Sequence, residues 1–99
     1  MAHFDALTGL PNRLLLNERC QQALNVAQRG HQSVALMFLD LGHFKNVNDS
    51  LGHRVGDEVL VELATRLKTA VRKQDRVSRL GGDEFILLLP DTDAPGAGD

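Results

Sequence analysis

Arg79-Leu80-Gly81-Gly82-Asp83-Glu84-Phe85, continued by the apolar run Ile86-Leu87-Leu88-Leu89, is the stretch on which the fold of this 99-residue chain turns. Two successive glycines accept backbone angles closed to other residues, and between short apolar segments they predict a tight hairpin turn. Two carboxylates then leave the turn on the first residues of a strand. Side chains alternate across a strand, so Asp83 and Glu84 are expected on opposite faces. One would meet a partner carboxylate across the sheet, the other solvent or a second ligand. A solvated acidic turn is the plain alternative, and a second acidic strand end, at Asp40, weighs against it.

That second strand is Val34-Ala35-Leu36-Met37-Phe38-Leu39, an apolar run ending in Asp40. It is too short for a helix and lacks polar alternation, so it predicts a central strand over 34–40, buried on both faces, with Met37 and Phe38 in the core. Asp40 stands where ligands collect at strand ends in α/β layers; a helix cap or loop acceptor is the ordinary alternative. Upstream, residues 1–12 form a turn-rich opening segment. Asn12 is placed to cap a helix over 13–30, whose Leu16, Cys20, Ala23, Leu24 and Ala27 recur at helical spacing and whose stop is Gly30. Downstream, Val59, Leu60, Leu63, Leu67 and Val71 predict a helix over 56–73, with Asp57 and Glu58 near its N-terminus and Arg72 and Lys73 near its C-terminus. Strands over 76–80 and 85–89 flank the Gly-Gly turn, and 91–99 has loop composition.

The order helix-strand-helix-strand-strand is an α+β (α/β) pattern. The first two strands are expected parallel and the third antiparallel to the second. With the third strand beside the first, the end of Asp40's strand meets the start of Asp83's. Two acids distant in sequence then share one end of the sheet.

Between Asp40 and the second long helix, residues 41–56 crowd Gly42, His43, Phe44, Lys45, Asn46, Asn48, Asp49, Gly52 and His53 together. Such a segment suits a nucleotide pocket or is simply a polar connection. In the first case tight-turn N–H groups hold phosphate and Lys45 neutralises it. Asn48 and Asp57 match guanine: its O6 accepts from an amide, and its N1 and N2 donors suit a carboxylate. His43 and His53 lack the further ligands of a zinc site. Asp40, Asp83 and Glu84 are hard oxygen donors suited to Mg2+ or Mn2+, which keep waters and take remaining ligands from phosphate.

Composition narrows the rest. With 11 Lys plus Arg against 13 Asp plus Glu and a formal charge of −2, there is no general argument for DNA or RNA. Cys20, the single cysteine, excludes a disulfide framework and fits a reducing, cytoplasmic setting. No run is long enough to span a membrane, and no signal peptide opens the chain.

These residues resemble the GGDEF domain, the diguanylate cyclase family, named for the motif found here as Gly81-Gly82-Asp83-Glu84-Phe85. The likeness extends to the opening Asp5-Ala6-Leu7-Thr8-Gly9-Leu10-Pro11-Asn12-Arg13, to Phe44-Lys45-Asn46-Val47-Asn48-Asp49 with Gly52-His53, and to Gly56-Asp57. The resemblance implies a ferredoxin-like, palm-type sheet and condensation of two GTP to cyclic di-GMP and pyrophosphate, with Mg2+ (or Mn2+), across a homodimer. Each 3′-hydroxyl would attack the α-phosphate held by the partner. Asp40, Asp83 and the Leu41 carbonyl would hold the metal, with Glu84 assisting a second ion or the hydroxyl. Asn48 and Asp57 would read guanine, and the backbone at His43 and Phe44 would hold terminal phosphates beside Lys45. Arg72 and Asp75, with Arg79, would form an inhibitory site for the product. From charge alone, Arg72-Lys73-Gln74-Asp75 is a helix end with a capping acid.

Two departures stand against the family pattern. Gly42 occupies a position where a second acid is usual. The chain also has the length of the family domain's N-terminal half, so it is expected to be a truncated portion, inactive by itself, of a parent that can carry a sensory or membrane domain. A non-catalytic module binding GTP or cyclic di-GMP, and a dimerising remnant, are the competing readings.

Overall fold

The computed structural model describes residues 2–90. The loop expected over 91–99 lies outside the described residues. Six elements follow one another: α1 (Arg13–Gly30), β1 (Val34–Asp40), α2 (Phe44–Leu51), α3 (His53–Ala70), β2 (Arg76–Gly81) and β3 (Glu84–Pro90). The strands form one sheet in the order β1-β3-β2, and β3 is antiparallel to both neighbours. The last strand therefore inserts between the first two, as expected of a palm-type sheet.

Alternation along β3 explains the layers. Phe85 and Leu87 point to one face, where they join Leu10, Leu60, Ala64 and Val77 beneath α3. Ile86 and Leu88 point to the other, where Leu16, Cys20 and Ala23 of α1 cover them. A strand apolar at every position is what two covered faces require. Cys20 is thus a packing residue.

Local signals set the helix ends. The side chain of Asn12 accepts a hydrogen bond from the Leu15 N–H at 3.2 Å, satisfying an orphan donor of the first turn. α1 stops after Gly30, but His31 adopts the left-handed cap, with φ 55°. Leu24, expected on the buried stripe, is 53% exposed. α3 runs His53–Ala70, three residues upstream of the expected span at each end, so Asp57 lies in its second turn and Arg72 and Lys73 beyond its end.

Two expectations are corrected. β1 is an edge strand, with β3 as its neighbour; Met37 is 47% and Phe38 70% exposed. An uninterrupted apolar run looks the same whether two neighbours or one protect it, and β3 took the middle. Second, residues 41–56 contain α2, a helix of only eight residues whose Asn and Asp content and flanking glycines have the composition of a connection.

The contrast between two phenylalanines tests this arrangement. Phe85→Ala should cost about 3–5 kcal/mol in urea unfolding, and Phe38→Ala less than about 1 kcal/mol.

Candidate functional site

The hairpin joining β2 to β3 turns on Gly82 and Asp83, with φ 50° at Gly82 and 153° at Gly81. Asp83 is therefore a turn residue, and Glu84 is the first residue of β3. The expected opposition of Asp83 and Glu84 across a regular strand does not apply. Register instead sets Asp40 directly across from Glu84. Residues so opposed share a face, with Cα atoms about 4.5–5.5 Å apart. Asp83 adjoins this pair through the chain. The three acids expected to gather at one sheet end are thus contributed by adjacent backbone positions.

Asp40 and Glu84 line a groove of about 510 Å³ together with Arg13 and Asn17 of α1. Arg13 and Asn17 escaped the sequence reading, where they were only the first turns of a helix; their i,i+4 spacing, one face beside the Leu16 and Cys20 stripe, is the signal that could have found them. None of Asp40, Asp83 and Glu84 is ion-paired among the described residues. Nor are three or more His, Cys, Asp or Glu side chains there gathered as a closed metal site. Two opposed, accessible carboxylates do fit a hard cation that completes its shell with water and phosphate.

Beyond β1 the chain bends sharply into α2. His43 takes φ 63°, and the Leu41 carbonyl accepts from the Phe44 N–H at 3.2 Å. That N–H is engaged within the protein, while the Leu41 oxygen keeps a second lone pair. Phe44 packs against the core beneath α3, and Lys45 is exposed. Asn48 faces α3: its Oδ1 is buried without a hydrogen-bond partner, and a Cβ added at Gly56 would collide with it. Asp57, the next residue, is exposed. A glycine at 56 is therefore what lets an unsatisfied amide sit beside a solvent-facing carboxylate.

Arg72 and Asp75 lie at the other end of the sheet, before β2 begins. They are locked to each other. The Arg72 Nη2 donates to Asp75 Oδ1 at 2.9 Å, its Nε donates to both carboxylate oxygens, and its backbone N–H donates to Oδ2 at 2.8 Å. Nη2 also donates to the Pro90 carbonyl at 3.0 Å. Arg79 does not join them. It lies near the opposite end of β2, its Nη1 donating to both Asp5 oxygens at 2.9 and 3.0 Å and its Nε and Nη2 to the Gly82 carbonyl at 3.0 and 2.8 Å.

Burial raises the pKa of both Asp5 and Asp75, but hydrogen bonds outweigh it. Thr8 and Arg79 hold Asp5 below its ordinary value, and Arg72 does the same for Asp75.

An α+β sheet of the palm type, with acids on a hairpin and on the neighbouring strand end, defines a class of nucleotide-handling domain. The family model described as "Diguanylate cyclase, GGDEF domain" matches residues 2–99, and the chain belongs to that family. It is 51% identical over 89 residues to the bifunctional diguanylate cyclase/cyclic di-GMP phosphodiesterase MucR of Pseudomonas aeruginosa, covering 90% of this chain and 13% of MucR. A solved TpbB (YfiN) variant from the same organism, comprising only the GGDEF domain, superposes with TM-score 0.88 at 46% identity, over 95% of this chain and 54% of that one. Diguanylate cyclase SiaD of Pseudomonas aeruginosa, solved with its activator SiaC, superposes with TM-score 0.91 at 47% identity, over 98% of this chain and 37% of that one. The chain thus spans about half of a solved GGDEF domain and a fifth or less of the curated relatives MucR and TpbB.

Two outcomes are expected. Carboxylates with depressed folded-state pKa values contribute stability that is present above their unfolded pKa and lost as pH falls through the folded one. Thermal melts should therefore show Asp75→Asn destabilised at pH 7, with the gap to the unmodified chain closing as pH falls below the ordinary carboxylate range. Gly56→Ala must displace the Asn48 side chain, and urea unfolding should find it destabilised by about 1–3 kcal/mol with the helices retained by circular dichroism.

Proposed function

We propose that this chain supplies the metal- and guanine-binding part of a domain that condenses two GTP to cyclic di-GMP and pyrophosphate across a homodimer. The observation that carries the reading is the register of Asp40 against Glu84 beside the Asp83 turn, three carboxylates at one sheet end with no cationic partner among the described residues. Family membership and the relatives' cyclase names support the same reaction.

Each condensation forms a bond from a 3′-oxygen to the α-phosphorus and breaks the bond to pyrophosphate. Bound Mg2+ or Mn2+ would neutralise the triphosphate and favour ionisation of the attacking hydroxyl. Asp40 and Glu84 are the carboxylates to hold it, with Asp83 reaching from the turn and the spare lone pair of the Leu41 carbonyl nearby. Arg13 and Asn17, lining the same groove, offer a cation and an amide for phosphate oxygens. Lys45 contributes a second cation from α2. Asn48 presents donors and an acceptor, Asp57 an acceptor, and together they match the O6, N1 and N2 edge of guanine. The Asn48 Oδ1 is buried against Gly56 without a partner, which leaves Nδ2 as the group to donate to guanine O6. Gly42 withholds a further carboxylate, and a side chain there would meet no atom within 4 Å.

Arg72 and Asp75 are assigned a separate role in binding cyclic di-GMP, which must then compete with their mutual ion pair. Arg79 is withdrawn from that site. A GTP-consuming reaction fits a cytoplasmic setting. Among the described residues no helix is long and apolar enough to cross a membrane.

The test is equilibrium binding of GTP with and without Mn2+, together with assay of cyclic di-GMP and pyrophosphate. Metal-dependent GTP binding, weakened at least about tenfold in Asp40→Asn and in Glu84→Gln, is expected. Binding indifferent to both substitutions and to the metal would overturn the assignment. Binding without product would leave a nucleotide-binding module.

A further inference from the structure

We propose that Arg19 and Arg76 form a binding site for a phosphate monoester, a small molecule with one dianionic phosphate and an apolar or planar body, at the end of the sheet remote from the acids. The site goes beyond the metal- and guanine-binding reading and does not rest on it.

Register fixes the place. Val34 pairs with Pro90 and Arg76 with Leu88, whereas Asp40 pairs with Glu84. At about 3.3 Å per residue along β1, the two ends lie about 20 Å apart. Between α1 and this second end is a cavity of about 380 Å³ with Arg19 and Arg76 in its wall, the size of a small-molecule pocket.

The two guanidinia lack an anion. Arg19 is half-buried on α1, and its helical neighbours Leu15, Leu16, Gln22 and Ala23 offer it no carboxylate. It makes no ion pair among the described residues. Arg76 engages only Nη1, which donates to the Lys73 and Asp75 carbonyls at 3.3 Å each. The Asp75 carboxylate, next to it in sequence, accepts its hydrogen bonds from Arg72. Burial, and then the charge of Arg76, hold the Arg19 guanidinium below its ordinary pKa. Two like charges therefore border one space, and among the described residues no carboxylate lines it. A bound anion would turn that repulsion into two attractions.

The rest of the lining selects the ligand. Gln22, Gln32 and Gln74 bring amide N–H donors for further phosphate oxygens. Val26, Ala27 and Leu88 supply an apolar wall for a carbon skeleton or ring, and Val26 is 61% exposed until something covers it. Two cations match the roughly two charges of a monoester near pH 7, where a diester linkage carries about one. Arg72 and Asp75 do not line this cavity, which separates it from the site assigned to cyclic di-GMP.

The experiment titrates the full chain with phenyl phosphate in EDTA, so that no metal bridges the probe to the acidic end, and follows the side-chain amide shifts of Gln22, Gln32 and Gln74. Saturable binding with a Kd of about 1 mM or lower is expected, with inorganic phosphate weaker because it leaves the apolar wall bare. Arg19→Gln and Arg76→Gln should each weaken binding at least about tenfold with circular dichroism unchanged. Arg19 and Arg76 also border the cleft of Arg72 and Asp75, so Arg72→Gln is measured beside them and should retain the affinity. Absent amide shifts, affinity indifferent to both Arg19→Gln and Arg76→Gln, or equal loss in Arg72→Gln would overturn the site. Equal affinity for inorganic phosphate would overturn the choice of an organic ester. GTP binding with Mn2+ should be the same in Arg19→Gln and Arg76→Gln as in the unmodified chain, which keeps the failure of this site distinct from failure of the acidic one.

Discussion

The structure depends on β3 being covered on both faces. Phe85 and Leu87 seal one side against α3, and Ile86 and Leu88 seal the other against α1. Only a strand apolar at successive positions can serve two helical layers at once, and both other strands obtain their pairing from it. β1 and β2 do not touch as neighbours. Everything at the acidic end, from the opposition of Asp40 and Glu84 to the aim of the turn, follows from where β3 begins.

That arrangement sets function against stability. Like charges opposed across a sheet are unfavourable, and here two carboxylates face each other without a cation among the described residues. Asn48 adds a buried oxygen without a partner. The cost of both is offset elsewhere, by the core beneath α3 and by ion pairs such as Arg72 with Asp75 and Arg79 with Asp5. Ser78 Oγ in β2 is likewise buried and unpaired, so of these groups it is the accessible carboxylates that a cation would satisfy.

Much of this was legible in the residues. The Gly-Gly pair announces the hairpin, Asn12 the start of α1, and two apolar runs the existence of β1 and β3, because each signal is local. What was not legible depended on partners distant in the chain. The run Val34–Leu39 could not say whether it would be central or at an edge, since that was decided by β3 inserting beside it. α2 is hidden because its Phe44, Val47 and Leu51 stripe spans only two turns among Asn, Asp and flanking Gly, the composition of a connection. Among the acids, the apolar runs mark Asp40 and Asp83 as strand ends, while register sets Glu84 opposite Asp40. Nothing in the sequence links Arg79 to Asp5, seventy-four positions away, so their ion pair is visible only in the fold.

The strand order carries a consequence for how the chain is made. β3 is the final described element, yet both native strand pairings require it. A ribosome must therefore deliver nearly all of these residues before any part of the sheet can close, and until then β1 waits with its apolar side chains unprotected. Pairing across such a sequence separation is intrinsically slow. The nascent polypeptide consequently spends its most aggregation-prone interval just before Glu84–Pro90 emerges, a vulnerability written into topology and not into any single side chain.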